Sequence, residues 1–186
     1  MDDYLRSVAD ALIATDAGCI NGVAEKILMT KQKGSRIFTA GNGGSAATAS
    51  HFCNDLVKGC RTDGAAGFDA MCLCDPVPVV TCLANDFSYD EIFSLQLETH
   101  ARRGDLLVIF SGSGNSPNIL KAARYAASNQ IGLIGFGGRD GGSLAGLCEN
   151  FVLAPSWSME EIEDLHLCYC HSIIVYIKSA FRRESA

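Results

Sequence analysis

The hydrophobic positions along the chain follow two rhythms. Short, mostly apolar runs lie at residues 36–40, 70–74, 106–110, 131–136 and 151–154. Longer stretches between them carry apolar residues at helical spacing. Short, mostly apolar runs predict strands buried on both faces, as in a parallel sheet covered by helices. Helices are expected over about 21–31, 46–58, 77–84, 90–100, 117–123 and 158–181. A first helix starts at Asp2 or Asp3, either of which can cap it, and sets Leu5, Val8, Leu12 and Ile13 at helical spacing. This N-terminal arm precedes every strand and has no sheet partner of its own, so it is expected to pack on another subunit.

Glycine-rich loops follow three of the strands, at 41, 112 and 137. In a parallel sheet they open at the carboxyl edge, where ligands bind. Residues 111–116 read Ser-Gly-Ser-Gly-Asn-Ser between an apolar strand and a helix opened by Pro117. The first amides of a helix lack internal partners and the dipole is positive there, so the turn suits an anion. Glycines admit the ligand close to the backbone, and serines add hydroxyl donors. The loop holds no lysine, which separates it from the nucleotide P-loop. An ordinary capped turn is the alternative. Residues 41–45, Gly-Asn-Gly-Gly-Ser, repeat the theme after the first strand. Two such loops on one edge point to a small phosphorylated ligand. A dinucleotide fingerprint fits less well: Ala46 takes the third glycine position, and Asp75, beside Pro76, is a poor ribose partner.

Composition narrows the class. The chain has 186 residues, 48% apolar and 19% charged, enough for one domain with a sizeable core. A formal charge of −6 argues against a nucleic-acid surface. No apolar run reaches bilayer length, and Met1-Asp2-Asp3-Tyr4 lacks the basic start of a signal peptide. Nine scattered cysteines without a Cys-x-x-Cys read as small core residues in a reducing cytoplasm.

Two places carry further chemistry. His51 and Asp55 lie four apart on one helix face. They suit two metal ligands, an acid–base pair, or a solvated pair. The last helix carries Glu160, Glu161, Glu163 and Asp164, then His166 and His171. Acidic residues in a first turn also serve the helix dipole, and a helical histidine among apolar neighbours also serves a core. The spacing leaves these readings open.

Taken together, Gly41-Asn42-Gly43-Gly44-Ser45-Ala46-Ala47, His51-Phe52, Asn85-Asp86, residues 111–118 and the stretch from Pro155 to His171 resemble the sugar isomerase (SIS) domain of phosphoheptose isomerases. The resemblance runs in order along nearly the whole chain and implies a single SIS domain over 1–186. The implied fold is α/β: a five-stranded parallel sheet flanked by helices, a three-layer, flavodoxin-like sandwich. It implies a cytoplasmic homotetramer with active sites at subunit interfaces, without nucleic-acid or membrane partners. It implies conversion of sedoheptulose 7-phosphate to a heptose 7-phosphate through an ene-diol.

The resemblance places substrate contacts at Asn42, Gly43, Ser45, Asp86, Ser111, Ser113, Asn115 and Ser116, with the serines on the phosphate. It places the chemistry at His51, Asp55, Glu163 and His171: all four as ligands of Zn²⁺, and Asp55, His171 and Glu163 as proton carriers. The chain departs from the family twice, with Asp55 in place of glutamate and Glu163 in place of glutamine. A shorter carboxylate sets its oxygens back by about 1.5 Å, and displacement on that scale costs about a hundredfold in rate. Two histidines with two carboxylates suit Zn²⁺. Glu163 and His171, however, are separated by about 12 Å of helix rise. Two other readings belong to the same branch: a module that binds a protein partner such as a replication initiator, and an isomerase of another sugar phosphate.

Overall fold

The computed structural model describes residues 2–61 and 66–184. Met1, residues 62–65 and residues 185–186 lie outside the described part. Five strands, β1 (Ile37–Gly41), β2 (Ala70–Cys72), β3 (Leu106–Ser111), β4 (Gly132–Gly137) and β5 (Asn150–Leu153), form one sheet in the order β2-β1-β3-β4-β5. Every pairing is parallel.

The period of two along each strand sorts side chains to two faces. In β3, Leu106, Val108 and Phe110 face one core, and Leu107 and Ile109 face the other. The first core is closed by α2 (Ala17–Gln32), α3 (Gly44–Asn54) and α8 (Met159–Glu184), through Ile27, Phe52, Tyr169 and Ile173. The second is closed by α5 (Ser94–His100) and α6 (Pro117–Ser128), through Leu97, Ile119 and Ala122. Helix, sheet and helix give the three layers. The remaining helices are α1 (Asp2–Ala14), α4 (Val77–Asp86) and α7 (Gly142–Ala145). Among the described residues no helix is long and apolar enough to cross a membrane. The nine cysteines are free thiols.

Strand order positions the site. β2 lies on one side of β1, and β3, β4 and β5 follow on the other. The order in which strands are added reverses between β1 and β3, so the loops leaving these neighbours splay apart and open a crevice. Those loops are residues 41–45 and 111–116.

Two features depart from expectation. The helix over 46–58 is regular only to Asn54 and widens into a π-turn, Asp55–Gly59, closed by the Cys60 amide on the Asp55 carbonyl at 2.9 Å. The stretch 90–100 divides into a 3₁₀ turn, Tyr89–Glu91, and α5. The arm α1 forms, but Leu5 and Ile13 stay exposed and only Ala11 is buried. Ala11 joins the first core and α1 leans on α8, while Leu5 and Ile13 face outward. Helix α4 likewise buries none of its residues, leaving Val77 and Val79 exposed, with Phe87 exposed just beyond its end.

Candidate active site

The crevice holds a cavity of about 300 Å³ lined by Asn42, Gly43, Ser45, Ser111, Ser113 and Ser116, with Gly44, Gly112, Met159 and Glu163 completing its wall. Two helices begin at it. α3 starts after Gly43, whose φ of +56° aims the loop in a conformation that favours glycine. α6 starts after Ser116, which occupies the N-cap position without making a side-chain cap bond. Gly43 has no side chain to cap α3 and the Ser116 hydroxyl makes no cap bond, so the Gly44 and Ser45 amides and that hydroxyl remain for a ligand at one cavity. The Ser111 hydroxyl is buried and accepts from the Gly114 amide at 3.2 Å, tightening the loop into a cup. The arrangement suits a phosphate dianion.

Asn115 and Asp86 lie elsewhere. Asn115 accepts from the Ser143 amide at 2.9 Å and donates to the Ser113 carbonyl at 3.0 Å, bridging the β3 loop to the start of α7. Its polar atoms serve the loop rather than the cavity. Asp86 ends α4 and accepts from the Asn85 amide and the Cys82 thiol, which hold its carboxyl below the usual range. It does not line the cavity of this chain.

Farther along α3 the four-residue set divides. His51 Nε2 is 3.0 Å from His171 Nε2, and Asp55 Oδ2 is 3.4 Å from the first and 3.9 Å from the second. Among the described residues these three form the one group placed to hold a metal ion. A tetrahedral zinc with Zn–N near 2.05 Å has ligand–ligand edges of about 3.3 Å. The three observed separations bracket that edge. Two imidazoles and one carboxylate with an open fourth position match the donor set of catalytic zinc sites. The residues present therefore fit a divalent ion.

Glu163 stands apart, about two helical turns before His171 on α8, in the wall of the loop-lined cavity. A Cβ on Gly44 would overlap its carboxylate, so that close approach depends on glycine. The π-turn bears on Asp55 in a similar way. Asp55 opens it, and a Cβ on Gly59 would lie 3.2 Å from Asp55 Oδ1. Widened turns of this kind often occur at functional positions. Asp55 itself continues α3 in regular register, with its N–H on the His51 carbonyl, so the four-residue spacing sets its carboxylate beside His51.

His166 is a core residue. It is fully buried against Phe110, Phe136 and Tyr169, with Nε2 on the Gly137 carbonyl at 3.0 Å. Burial lowers its pKa to about 4. Its Nδ1 has no partner, which makes the neutral Nε2–H tautomer the one this environment favours. Sequence reasoning gave no role to Asn118 or Tyr89, which bond to Asn42 beside the cavity. Asn118 lies in the 111–118 motif, but its pairing with Asn42 was not legible, because the contact joins segments far apart in the chain.

Comparison with known proteins agrees with this geometry. Residues 2–138 match the family model described as SIS domain. The chain belongs to the SIS domain family. Within it, the similarity is to phosphoheptose isomerases. The one from Aneurinibacillus thermoaerophilus is 33% identical over 193 residues, spanning 99% of this chain and 97% of that one. The one from a Bradyrhizobium strain is 34% identical, spanning 96% and 88%. The structure of phosphoheptose isomerase GmhA from Neisseria gonorrhoeae superposes with a TM-score of 0.86 at 29% identity, over 96% of this chain and 94% of that one. These relatives are enzymes, and this SIS chain shares their α/β fold with its N-terminal helices.

Proposed function

We propose that this SIS protein is an aldose–ketose isomerase of sugar phosphates, and that its substrate is sedoheptulose 7-phosphate. The observation that carries this is the pairing, along one helix, of a phosphate cavity with a histidine–carboxylate group. Ser45 and His51 are both on α3, about 9 Å apart in rise. An extended seven-carbon chain with its phosphate ester spans about 10 Å, from C–C bonds near 1.5 Å. Such a molecule can place its phosphate among Ser45, Ser111, Ser113 and Ser116 and its carbonyl end at the triad. A triose phosphate is too short to reach both. The choice of seven carbons over six rests on the relatives' names.

Isomerisation of a ketose moves a proton from C1 to C2 through an ene-diol. In our reading Asp55 removes the C1 proton, exchanges it in part with solvent, and delivers a proton to C2 on the same face of the intermediate. A proton also passes from O1 to O2, and charge develops on these oxygens. Where no ion occupies its Nε2, His171 donates from that nitrogen to the developing charge. A divalent ion such as Zn²⁺, held by His51, Asp55 and His171, would polarise the same oxygens. With Oδ2 turned toward the histidines, Oδ1 of Asp55 remains for the proton. Glu163 faces the ligand nearer the phosphate end.

Assembly belongs to the same proposal. His51 and His171 are exposed, and Val57, Val175 and Tyr176 are exposed near them in the chain. Together with the exposed apolar residues of α1 and α4, this supports a homotetramer whose subunits close over the site. We also take residues 1–186 as one domain, because β5 and α8, beyond the matched segment, complete the same sheet and core. The free thiols suit a reducing cytoplasm. The test is incubation of purified protein with sedoheptulose 7-phosphate and detection of the aldose. No turnover with or without added Zn²⁺ would sink the proposal.

A further inference from the structure

Asn42 lines the cavity, and its amide is held from two sides. Asn42 and Asn118 form a reciprocal pair, each Nδ2 donating to the other's Oδ1 at 2.9 Å. Tyr89 adds its hydroxyl to Asn42 Oδ1 at 3.0 Å. Side-chain amides are easily drawn the wrong way round, but here the backbone fixes them. The Ile119 amide, in the first turn of α6, has only Asn118 Oδ1 to bond, at 2.9 Å. A backbone N–H can only donate, so that atom is oxygen. The atom of Asn42 facing it is therefore nitrogen, and the other atom of Asn42 is oxygen. Tyr89 must then donate to it.

The count of bonds has a consequence for recognition. Asn42 Oδ1 accepts twice, which fills both its lone pairs. Asn42 Nδ2 has used one of its two hydrogens. Asn118 is 1% exposed and presents nothing to the ligand. We infer that Asn118 is a positioning residue that sets Asn42 as a pure donor, so that Asn42 offers the ligand one N–H and no oxygen. Asn42 then reads a hydroxyl or carbonyl oxygen as an acceptor. This inference rests on the reading that the cavity holds a sugar phosphate.

The test has two arms. In the wild-type protein, nitrogen-edited NMR of side-chain amides should show slowed exchange for Asn118 and for one hydrogen of Asn42. Exchange as fast as in an exposed asparagine would overturn the pairing, whatever the substrate is. The second arm uses Asn118→Asp, which sets a carboxylate oxygen against Asn42 Oδ1. This variant should bind inorganic phosphate as wild type does, because the serine loops are intact. Its affinity for sedoheptulose 7-phosphate should fall about tenfold, the cost of one misaligned hydrogen bond. Protonation of the introduced carboxyl re-forms the pair, so that affinity should recover as pH is lowered, relative to wild type at each pH. Affinity unchanged at every pH would overturn the assignment, and so would equal loss of phosphate and sugar phosphate. Wild-type protein that gives no turnover would count against the isomerase reading while the amide measurement still decides the positioning role.

Discussion

His51 and His171 meet Nε2 to Nε2 at 3.0 Å across two helices 120 residues apart in the chain. Two imidazole nitrogens this close need a proton between them or a cation beside them. With Asp55 Oδ2 within 3.9 Å of both, the cluster is built for one or the other. Stoichiometric Co²⁺ should give the visible bands of a low-coordinate site in wild type. His171→Gln should lose those bands and lower activity by more than the 10–100-fold usual for groups that only orient a ligand. A fully active His171→Gln protein would remove the cluster from the mechanism.

Ser116 sits at an N-cap yet makes no cap bond, which leaves its hydroxyl for the ligand. A hydrogen bond to a charged group contributes about 1.5–3 kcal/mol, so Ser116→Ala should raise KM about tenfold or more. kcat should change little, because the bond is equally present in ground and transition states. Inorganic phosphate, measured by calorimetry, should weaken in parallel. A loss confined to kcat would place Ser116 with the chemistry instead.

Glu163 puts a carboxylate in the wall of a cavity read here as a phosphate site. Like charges in a shielded crevice repel, so Glu163→Gln should lower KM several-fold. With Asp55 as the proton carrier, kcat should stay within a few-fold of wild type, whereas Asp55→Asn should lose about 10²–10⁴-fold in rate. Steady-state kinetics on the two variants separates the roles. A collapse of kcat in Glu163→Gln would move the proton path to Glu163.

His166 links stability to acid. Its pKa in the fold is about 4 because burial disfavours the charged ring, below the ordinary value of 6.5. Between these values the unfolded chain binds the extra proton, so stability rises with pH over that window and is lost as pH falls from about 6.5 to 4. At 1.36 kcal/mol per pH unit, the shift corresponds to about 3 kcal/mol as an upper figure. Denaturant titrations at pH 7 and pH 4.5 should show a smaller acid loss in His166→Gln than in wild type. Equal acid losses would contradict the buried neutral ring.

The strands and the two anion loops were legible because a doubly covered parallel sheet leaves mostly apolar runs ended by glycine. Strand order was not, since nothing local states that β3 lies beside β1. The π-turn at Asp55 was hidden inside a stretch that reads as continuous helix. His166 and His171 looked alike because apolar residues surround both. Their five-residue offset turns one toward Phe110 and the other outward to His51. Glu163 could be separated from His171 by helix rise alone, and the structure places it in the wall of the cavity between the two loops. The loop bonds of Asn115 were not legible, because a serine–glycine–asparagine sequence does not reveal which side chains brace the loop itself.

The central claim is proton transfer on a sugar phosphate anchored by its tail. The most direct measurement is NMR of sedoheptulose 7-phosphate incubated with the Zn²⁺-supplemented protein in D₂O. The account predicts an aldose 7-phosphate that carries deuterium at C2 in at least part of the product, and no such product from Asp55→Asn. Absence of aldose, or aldose formed without deuterium at C2, would contradict it.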